Sequence, residues 1–186
     1  MRVIAGKARR LQLKTVESMA VRPTTDRIKE TLFNMINTDV CDCLFLDLFA
    51  GSGAIGIEAL SRGAKSVTFV EKDSLALSCI RENLKTTHLE EDAVIMAADV
   101  LSAINTLDKK QQAYDIIFMD PPYNKLLEKD VLEQLENSSV INEDTLIIVE
   151  ASLETDMDYV ENMNYEIIKE KMYKTNKHIF VKKANA

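Results

Sequence analysis

Between about residue 43 and residue 152 the chain alternates short apolar runs with segments of helical periodicity. The apolar runs are nearly continuous, and they cover 44–49, 66–71, 93–98, 114–120 and 145–151. Such runs are typical of parallel strands buried on both faces. The segments between them are 54–62, 74–87, 100–107 and 128–136. This alternation predicts a doubly wound α/β fold with helices on both faces of the sheet, and Ser74 is expected to cap the second helix.

The start of the chain departs from this alternation. Segments 3–5 and 10–13 flank Gly6-Lys7 and predict a short basic hairpin. A helix is predicted next, and Thr24 or Thr25 is expected to cap it.

The end of the chain also departs from it, because 165–171 and 178–182 predict a final pair of strands. We find no linker composition and no internal repeat. The sequence therefore predicts one domain over residues 1–186, with a basic N-terminal hairpin extension at 1–25 and the core at 26–186.

Composition narrows the class of protein. The 186 residues are 46% hydrophobic and 28% charged, which is ordinary for a globular protein with a sizeable core. The apolar runs are too short for a membrane span, and basic residues come too early for a signal peptide. Cys41, Cys43 and Cys79 form neither an even set nor a Cys-x-x-Cys pair. We therefore expect reduced thiols, a cytoplasmic location and no metal site.

Charge is unevenly distributed along the chain. The net charge is −7, yet residues 1–29 hold eight Lys or Arg against two acids, and residues 169–186 hold six Lys against one Glu. Such segregation is typical of a surface that binds phosphate groups. Solvated charge at the two ends explains the pattern equally well, so charge alone leaves nucleic-acid binding open.

A glycine-rich motif follows the first predicted strand. Residues 51–56 read Gly-Ser-Gly-Ala-Ile-Gly, a G-x-G-x-x-G pattern between a strand and a helix, which is the context in which this pattern binds nucleotides. Glu71 ends the next strand, where a carboxylate can accept hydrogen bonds from ribose hydroxyls. The sequence predicts a nucleotide site here, and a glycine turn that merely packs is the less favoured alternative.

Two further acids indicate which nucleotide is bound. Asp47 stands inside the first strand, where it can organise the loop and reach an ammonium group through water. Asp99 ends the third strand, at a place suited to an adenine amino group. Together with Glu71 they fit a cofactor with an amine, a ribose and an adenine but no pyrophosphate, which is S-adenosylmethionine. Taken singly, each acid also fits a solvated strand end.

The tetrapeptide Asp120-Pro121-Pro122-Tyr123 begins at the last residue of the fourth apolar run. It delivers an acceptor, a rigid backbone and an aromatic ring to the edge where open α/β sheets bind ligands. These groups suit a planar base that carries an amino group. A Pro turn with a core Tyr is the alternative, and the upstream loop and acids favour the base.

In this order the motifs resemble those of class I methyltransferases, and the tetrapeptide resembles the motif of enzymes that methylate exocyclic amines of bases. Segments 2–7, 22–27, 30–34 and 47–56 are similar to the RsmD family of bacterial 16S rRNA guanine-N2 methyltransferases. The resemblance implies methyl transfer from S-adenosylmethionine to N2 of a guanine in 16S rRNA, within an assembling 30S subunit. It also implies a Rossmann-like sheet of seven strands whose last strand is antiparallel. We expect the protein to be a monomer.

The resemblance assigns residues to roles. The cofactor would contact Asp47, Phe49, Ala50, Gly51, Ser52, Gly53, Glu71, Lys72, Asp99 and Val100. The implied catalytic residues are Asp120, Pro121, Pro122 and Tyr123, and the family often has Phe at the last position.

Seven residues near the N terminus are candidates for binding RNA: Arg2, Lys7, Arg9, Arg10, Arg22, Thr24 and Arg27. Those of the hairpin suit phosphate contacts. Those at 22–27 lie at a predicted helix start, which can receive the methionine carboxylate or an RNA phosphate. A solvated helix start is an equal alternative for them.

Three other functions compete with this interpretation. A DNA or RNA amino-methyltransferase acting on adenine N6 or cytosine N4 uses the same tetrapeptide, although 186 residues leave little room for a DNA-recognition region. A non-catalytic ribosome-assembly protein has no need for both the loop and the tetrapeptide. A nicotinamide oxidoreductase lacks a proton donor, since His88 and His178 are predicted outside the loops at the carboxyl edge.

Overall fold

The computed structural model describes residues 1–16, 26–123 and 125–184, and its centre is a sheet of seven strands. The strands are β1 (Leu44–Leu48), β2 (Ser66–Glu71), β3 (Ala93–Ala97), β4 (Ile116–Met119), β5 (Leu146–Ser152), β6 (Tyr165–Met172) and β7 (Asn176–Lys183). Their order is β3-β2-β1-β4-β5-β7-β6. The first five are parallel, and β7 is antiparallel to both of its neighbours. The expected topology is confirmed.

Helices cover both faces of this sheet. They are α1 (Asp26–Met35), α2 (Asn37–Val40), α3 (Ala54–Ser61), α4 (Ser74–Thr87), α5 (Val100–Lys109) and α6 (Leu127–Glu136), with a 3-10 helix at Asp158–Asn162. No helix within the described ranges is long and apolar enough to cross a membrane. Strand β4 is shorter than its apolar run, because the Tyr114 N–H bonds to the Val140 carbonyl instead of joining the ladder.

Alternate residues of the central strands build two separate cores. Phe45 and Phe118 point to one face, where they pack with side chains of α1, α3 and α4. Leu46 and Ile117 point to the other face and pack with α5 and α6. Burial on both faces explains why the strands read as continuous apolar runs. The three cysteines are free thiols, as expected, and only Cys41 is exposed.

The cap of α4 differs from the expectation. Asp73, and not Ser74, caps the helix, because its Oδ1 accepts hydrogen bonds from the N–H groups of Leu75 (3.0 Å) and Ala76 (2.9 Å). A carboxylate at this position also interacts favourably with the helix dipole.

The N-terminal hairpin forms only in part. Residues 1–16, which we call the N-terminal extension, contain one isolated bridge between Arg2 and Gln12. Regular strands do not develop because other backbone groups of the extension bond to α3. The N–H groups of Ile4 and Ala5 donate to the Glu58 carboxylate at 2.8 and 3.0 Å.

Glu58 anchors the extension through a buried network. Besides the two backbone donors, its carboxylate binds Lys29 Nζ at 3.1 Å and Arg62 Nε at 2.8 Å. The side chains of Lys29 and Glu58 are fully buried, and burial lowers the pKa of Lys29. Four donors compensate one buried carboxylate, which is the condition for tolerating such a group.

Gly6 brings the extension into backbone contact with α3. Its φ is +81°, and a Cβ at this position would lie 1.7 Å from the Ser61 carbonyl oxygen. The Lys7 N–H donates to the same oxygen at 2.8 Å. Only glycine permits this approach.

Candidate active site

A cavity of about 730 Å³ lies at the carboxyl edge of β1, β2, β3 and β4, a size typical of small-molecule sites. Its walls include nine of the ten expected cofactor residues and the whole tetrapeptide: Asp47, Phe49, Ala50, Gly51, Ser52, Glu71, Lys72, Asp99, Val100, Asp120, Pro121, Pro122 and Tyr123. Gly53 is the exception, because it is the N-cap residue at which the loop enters α3. Folding thus brings together segments that lie far apart in the sequence.

The glycine-rich loop bends sharply between β1 and α3. Phe49, Gly51 and Gly53 have φ angles of 62°, 54° and 77°, so the chain turns through the left-handed region three times. A positive φ is uncommon for Phe and is characteristic of functional sites. Gly56 is required for packing, since a Cβ there would lie 2.3 Å from the Phe69 ring. The loop thereby places backbone at the cavity wall.

Asp47 lies at the bottom of the cavity and is 2% exposed. Its Oδ2 accepts a hydrogen bond from the Gly56 N–H at 2.9 Å, which ties β1 to the first turn of α3. Burial raises the pKa of Asp47 to about 7; Glu71 also raises it, and the Gly56 bond lowers it. A buried carboxylate with such a pKa is suited to a cationic ligand, which would restore its charge.

Glu71 links the glycine loop to the end of β2. Its Oε2 accepts from the Gly51 N–H at 2.9 Å, and its Oε1 accepts from the N–H groups of Lys72 and Asp73 at 2.8 Å each. These bonds hold the carboxylate in one orientation at the cavity wall. A carboxylate offers about four acceptor positions, so capacity for a ribose hydroxyl remains.

Asp99 and Lys72 form the far wall. The Asp99 side chain caps α5 by accepting from the Leu101 N–H at 3.1 Å, and Lys72 Nζ lies 3.7 Å from its Oδ2. Asp99 therefore has a structural role in capping, and its second oxygen faces the lysine at the cavity.

The tetrapeptide begins where β4 ends. Asp120 is half-buried, Pro121 is buried, and Pro122 and Tyr123 are exposed. The pKa of Asp120 is raised well above its usual range, first by burial and then by the charges of Glu150 and Asp47. The structure therefore places a basic carboxylate in the same cavity as the glycine loop.

The N-terminal extension contributes a wall that the sequence did not predict. Met1, Thr15 and Val16 line the cavity. Asn83 of α4 holds this segment: its Oδ1 accepts from the Lys14 N–H at 2.8 Å, and its Nδ2 donates to the carbonyls of Lys14 (3.0 Å) and Ser52 (2.9 Å). Asn83 thus joins the extension to the glycine loop. Nothing in its helical context distinguishes it in the sequence.

Of the expected RNA-binding residues, Arg2, Lys7, Arg9, Arg10 and Arg27 are described by the structure, and none of these five lines the cavity. Arg2 pairs with Asp26, and Lys7 pairs with Asp92. Arg9, Arg10 and Arg27 are exposed, whereas Arg22 and Thr24 fall outside the described residues. The hairpin packs against Ser61, at the end of α3 remote from the glycine loop. Lys29, which shares the basic N-terminal segment, is buried and unavailable to RNA.

A second feature missed by the sequence lies beside Asp120. His178 is fully buried on β7, outside the loops as expected, and its Nε2 lies 3.2 Å from Oε2 of Glu150, whose charge contributes to the raised pKa of Asp120. Among the residues that the sequence analysis did not single out, Glu58 is the one that its sequence context distinguishes, because it is the charged residue of the mainly apolar helix α3.

The cavity lining is strongly acidic. Among the described residues it contains five carboxylates (Asp47, Glu71, Asp73, Asp99 and Asp120) and one Lys or Arg, Lys72. A pyrophosphate would be repelled by this set, whereas a ligand with an ammonium and a sulfonium group is attracted. The donor set therefore fits S-adenosylmethionine. In the described ranges no group of three or more His, Cys, Asp or Glu is arranged to hold a metal ion.

Comparison with known proteins agrees with this geometry. The family model described as conserved hypothetical protein 95 matches residues 1–182. Ribosomal RNA small subunit methyltransferase D of Escherichia coli is 35% identical over 171 residues, which cover 92% of this chain and 84% of the relative. The chain belongs to the RsmD family.

Two further proteins match this chain over most of their length. The Bacillus subtilis protein named "putative rRNA methyltransferase YlbH" is 39% identical over 157 residues, which cover 84% of this chain and 85% of the relative. The solved structure of Escherichia coli yhhF has a TM-score of 0.83 at 31% identity, covering 100% of this chain and 99% of that one. The Rossmann-like methyltransferase fold expected from the resemblance is confirmed.

Proposed function

We propose that this protein transfers a methyl group from S-adenosylmethionine to the exocyclic N2 of a guanine in 16S rRNA. The observation that carries the proposal is the single cavity that holds both the acid-lined glycine loop and the tetrapeptide at 120–123. The names of the Escherichia coli and Bacillus subtilis relatives refer to rRNA methylation, which supports RNA as the substrate class.

The cofactor side of the cavity is built from carboxylates and apolar groups. S-adenosylmethionine, when bound, supplies a methyl group on a positively charged sulfur. Asp47 would face the ammonium group, Glu71 the ribose and Asp99 the adenine amino group. Phe49 and Val100 would supply apolar contacts at the same wall.

Asp120 and Pro121 prepare the nucleophile. Guanine N2 is a poor nucleophile because its lone pair is delocalised into the ring. The Asp120 carboxylate and the Pro121 carbonyl accept hydrogen bonds from its two hydrogens, which localises the lone pair on nitrogen. The restricted φ of proline fixes this carbonyl in advance. The proton that the methylated amine loses passes to the raised-pKa carboxylate of Asp120.

Tyr123 orients the base. Its side chain is 41% exposed at the cavity mouth, where a ring can stack on a flipped nucleotide. Such stacking contributes roughly 1–3 kcal/mol. Extrusion of the nucleotide from its helix costs about a few kcal/mol. Stacking therefore offsets a substantial part of that cost.

The basic residues of the N-terminal extension would bind the surrounding RNA. Arg9 and Arg10 are exposed, and no described carboxylate pairs with either of them. Phosphate contacts of this kind supply affinity and register without reading the sequence. The extension is fixed to α3, so it would hold RNA at a constant distance from the cavity.

The test is methyl transfer from labelled cofactor into three substrates: deproteinised rRNA and partly assembled 30S particles from a deletion strain, and duplex DNA. We expect the label on one guanine of 16S rRNA, as N2-methylguanine after nuclease digestion. If the labelled product is N6-methyladenine or N4-methylcytosine, the target base is adenine or cytosine and not guanine. Label in duplex DNA alone would exclude rRNA as the substrate. Cofactor binding without transfer to any of these substrates would indicate a non-catalytic assembly protein.

A further inference from the structure

Four polar residues form a cluster on β5, on β7 and in the turn before β7, at the side of β5 that faces away from β4. They are Glu150 on β5, Asn176 and His178 on β7, and Tyr173 just before β7. Glu150 Oε1 accepts from Asn176 Nδ2 at 2.5 Å, and Glu150 Oε2 lies 3.2 Å from His178 Nε2. The Tyr173 hydroxyl lies 3.1 Å from His178 Nδ1. We call these four residues the Glu150 cluster.

Strand register places Glu150 next to Asp120. Met119, the last residue of β4, pairs with Val149 of β5, so the next residues along the two segments are Asp120, directly after β4, and Glu150 on β5. Residues at matching positions of neighbouring strands point to the same face of a sheet. On the other side of β4, Asp47 pairs with Phe118, two residues before Asp120. Three carboxylates therefore share one face of three adjacent strands.

The hydrogen bonds of the Glu150 cluster have one consistent set of directions. Asn176 donates from its amide nitrogen, and His178 donates from Nε2 to the Glu150 carboxylate. The other ring nitrogen, Nδ1, then accepts from the Tyr173 hydroxyl. His178 packs edge-on to Phe118, with 6.0 Å between ring centroids. The ring is thus held between the cluster and the strand that carries Asp120.

The side-chain amide of Asn176 is oriented so that its nitrogen donates to Glu150 while its oxygen makes no hydrogen bond among the described residues. Its Oδ1 is buried, with no hydrogen-bond partner in the part of the chain that the structure describes. A buried acceptor without a partner costs free energy. The amide orientation therefore serves the carboxylate of Glu150 rather than the satisfaction of Asn176.

We propose that Glu150 is a positioning residue for Asp120, held against it by His178 and Asn176 so that Asp120 remains a strong proton acceptor for the amino group of the base. The inference rests on the proposed function. A like charge on the neighbouring strand disfavours the ionised form of Asp120 and so increases its affinity for a proton. The proton lost from the methylated amine moves to Asp120 and later to solvent, and Glu150 takes no part in this transfer.

Several titratable groups surround this pair. They are Asp47 on β1, Glu71 on β2, Tyr123 after β4, His178 on β7, Tyr173 before β7 and Lys171 on β6, which pairs with His178. A useful variant must remove the charge of Glu150 and leave these groups in place. Glu150→Gln does so, because the Gln amide can donate to His178 Nε2 while His178 Nδ1–H donates to the Tyr173 oxygen.

The direct test follows the Asp120 carboxyl carbon by ¹³C NMR, assigned with Asp120→Asn. We expect Glu150→Gln to lower the midpoint of the Asp120 titration by about one pH unit or more. Tyr173→Phe keeps the charge of Glu150 and removes only the hydroxyl, so the midpoint should stay within about 0.3 pH unit of the wild type. An unchanged midpoint in Glu150→Gln overturns the inference.

Single-turnover methyl transfer gives a second readout. The acidic limb of the pH–rate profile should move to lower pH in Glu150→Gln, and its plateau rate should stay within about threefold of the wild type. Glu150→Ala leaves Asn176 and His178 without an acceptor, and its plateau should fall at least about tenfold. Equal losses in both variants would reduce Glu150 to a structural role and overturn the proposal.

The two proposals fail in distinguishable ways. If the wild type transfers no methyl group to any guanine, the proposed function fails, and the NMR titration still decides whether Glu150 acts on Asp120. In the other case the wild type methylates guanine, while Glu150→Gln changes neither the midpoint of the Asp120 titration nor the acidic limb of the pH–rate profile. Only the inference about Glu150 then fails.

Discussion

Lys29 on α1 and Glu58 on α3 form a fully buried ion pair, with 3.1 Å between Lys29 Nζ and Glu58 Oε2. Lys29 Nζ also donates to the Arg2 carbonyl at 2.7 Å. The pair therefore joins three parts of the molecule: the N-terminal extension, the first helix and the helix that follows the glycine loop. Its loss should affect the whole fold rather than one surface.

Lys29→Met should destabilise the protein by about 3–5 kcal/mol, since it leaves the Glu58 carboxylate buried with one charged partner fewer. Urea unfolding measures this change in the free energy of unfolding. Lys129→Met is the matched control, because Lys129 and Glu133 form an exposed pair. A change of no more than about 0.5 kcal/mol is expected there. Equal effects of the two substitutions would contradict the role of the buried pair.

Asp120→Ala should abolish methyl transfer and leave the affinity for S-adenosylhomocysteine within about threefold of the wild type. In the proposed function Asp120 faces the base, whereas the glycine loop and its carboxylates hold the cofactor. Calorimetric titration and labelled-methyl transfer measure the two properties separately. Glu133→Gln, an exposed change on α6, should leave both unaltered. Near-normal turnover of Asp120→Ala would exclude the assignment of Asp120.

Asp47 should make the stability of the cofactor-free protein depend on pH. Its pKa in the folded state is raised from 3.8 to about 7, so between these values the folded protein binds more protons than the unfolded chain. Stability therefore falls as pH rises from about 4 to about 7. Asp47→Asn removes this titrating group. As pH rises from about 4 to about 7, the free energy of unfolding of the variant should therefore increase relative to that of the wild type by about a few kcal/mol.

Chemical unfolding at several pH values measures the Asp47 effect. The same variant should bind S-adenosylmethionine more weakly, because the cationic ligand loses its buried counter-charge. Parallel stability curves for the two proteins between about pH 4 and pH 7 would be inconsistent with the raised pKa.

Arg9 and Arg10 should dominate phosphate binding by the N-terminal extension, since Arg2 and Lys7 already pair with carboxylates. Arg9→Gln combined with Arg10→Asn should reduce the magnitude of the slope of log K for RNA binding against log salt concentration by roughly 1.5. Cofactor affinity should not change. Asn is chosen for Arg10 because φ there is 72°. The control pair is Lys109→Gln with Lys110→Asn at the end of α5. An unchanged salt slope in the Arg variant would remove these residues from the RNA surface.

Asn83→Asp should weaken cofactor binding by about tenfold or more, because an acceptor would replace the donor to the Lys14 and Ser52 carbonyls. Separation of the extension from the glycine loop would open one wall of the cavity. Calorimetry with S-adenosylhomocysteine measures the loss. Asn105→Asp, an exposed change on α5, should have no effect. Full affinity in Asn83→Asp would show that residues 14–16 close no part of the binding site.

Much of the fold and the cofactor loop could be predicted from local signals. Continuous apolar runs identified all five parallel strands, and the helix periods located α3 to α6 to within two residues at either end. The glycine pattern was informative because backbone geometry at 51–56 depends on the local sequence. The N-cap of α4 was wrong by one residue, since Asp73 and Ser74 are both good capping residues and only the backbone distinguishes them.

The sequence by itself determined the parallel strands, the helices between them and the strand ends at which the cofactor loop and the tetrapeptide stand, because these follow from hydrophobic period and turn chemistry. Only the tertiary structure decided which polar residues from distant elements meet: Glu58 with Lys29, Asn83 with Ser52, and Glu150 with His178. Each of these contacts depends on strand register and helix packing across at least 28 positions of sequence. Local sequence patterns do not specify contacts between residues so far apart in the chain. The charges around Asp120 are therefore defined only by the tertiary structure.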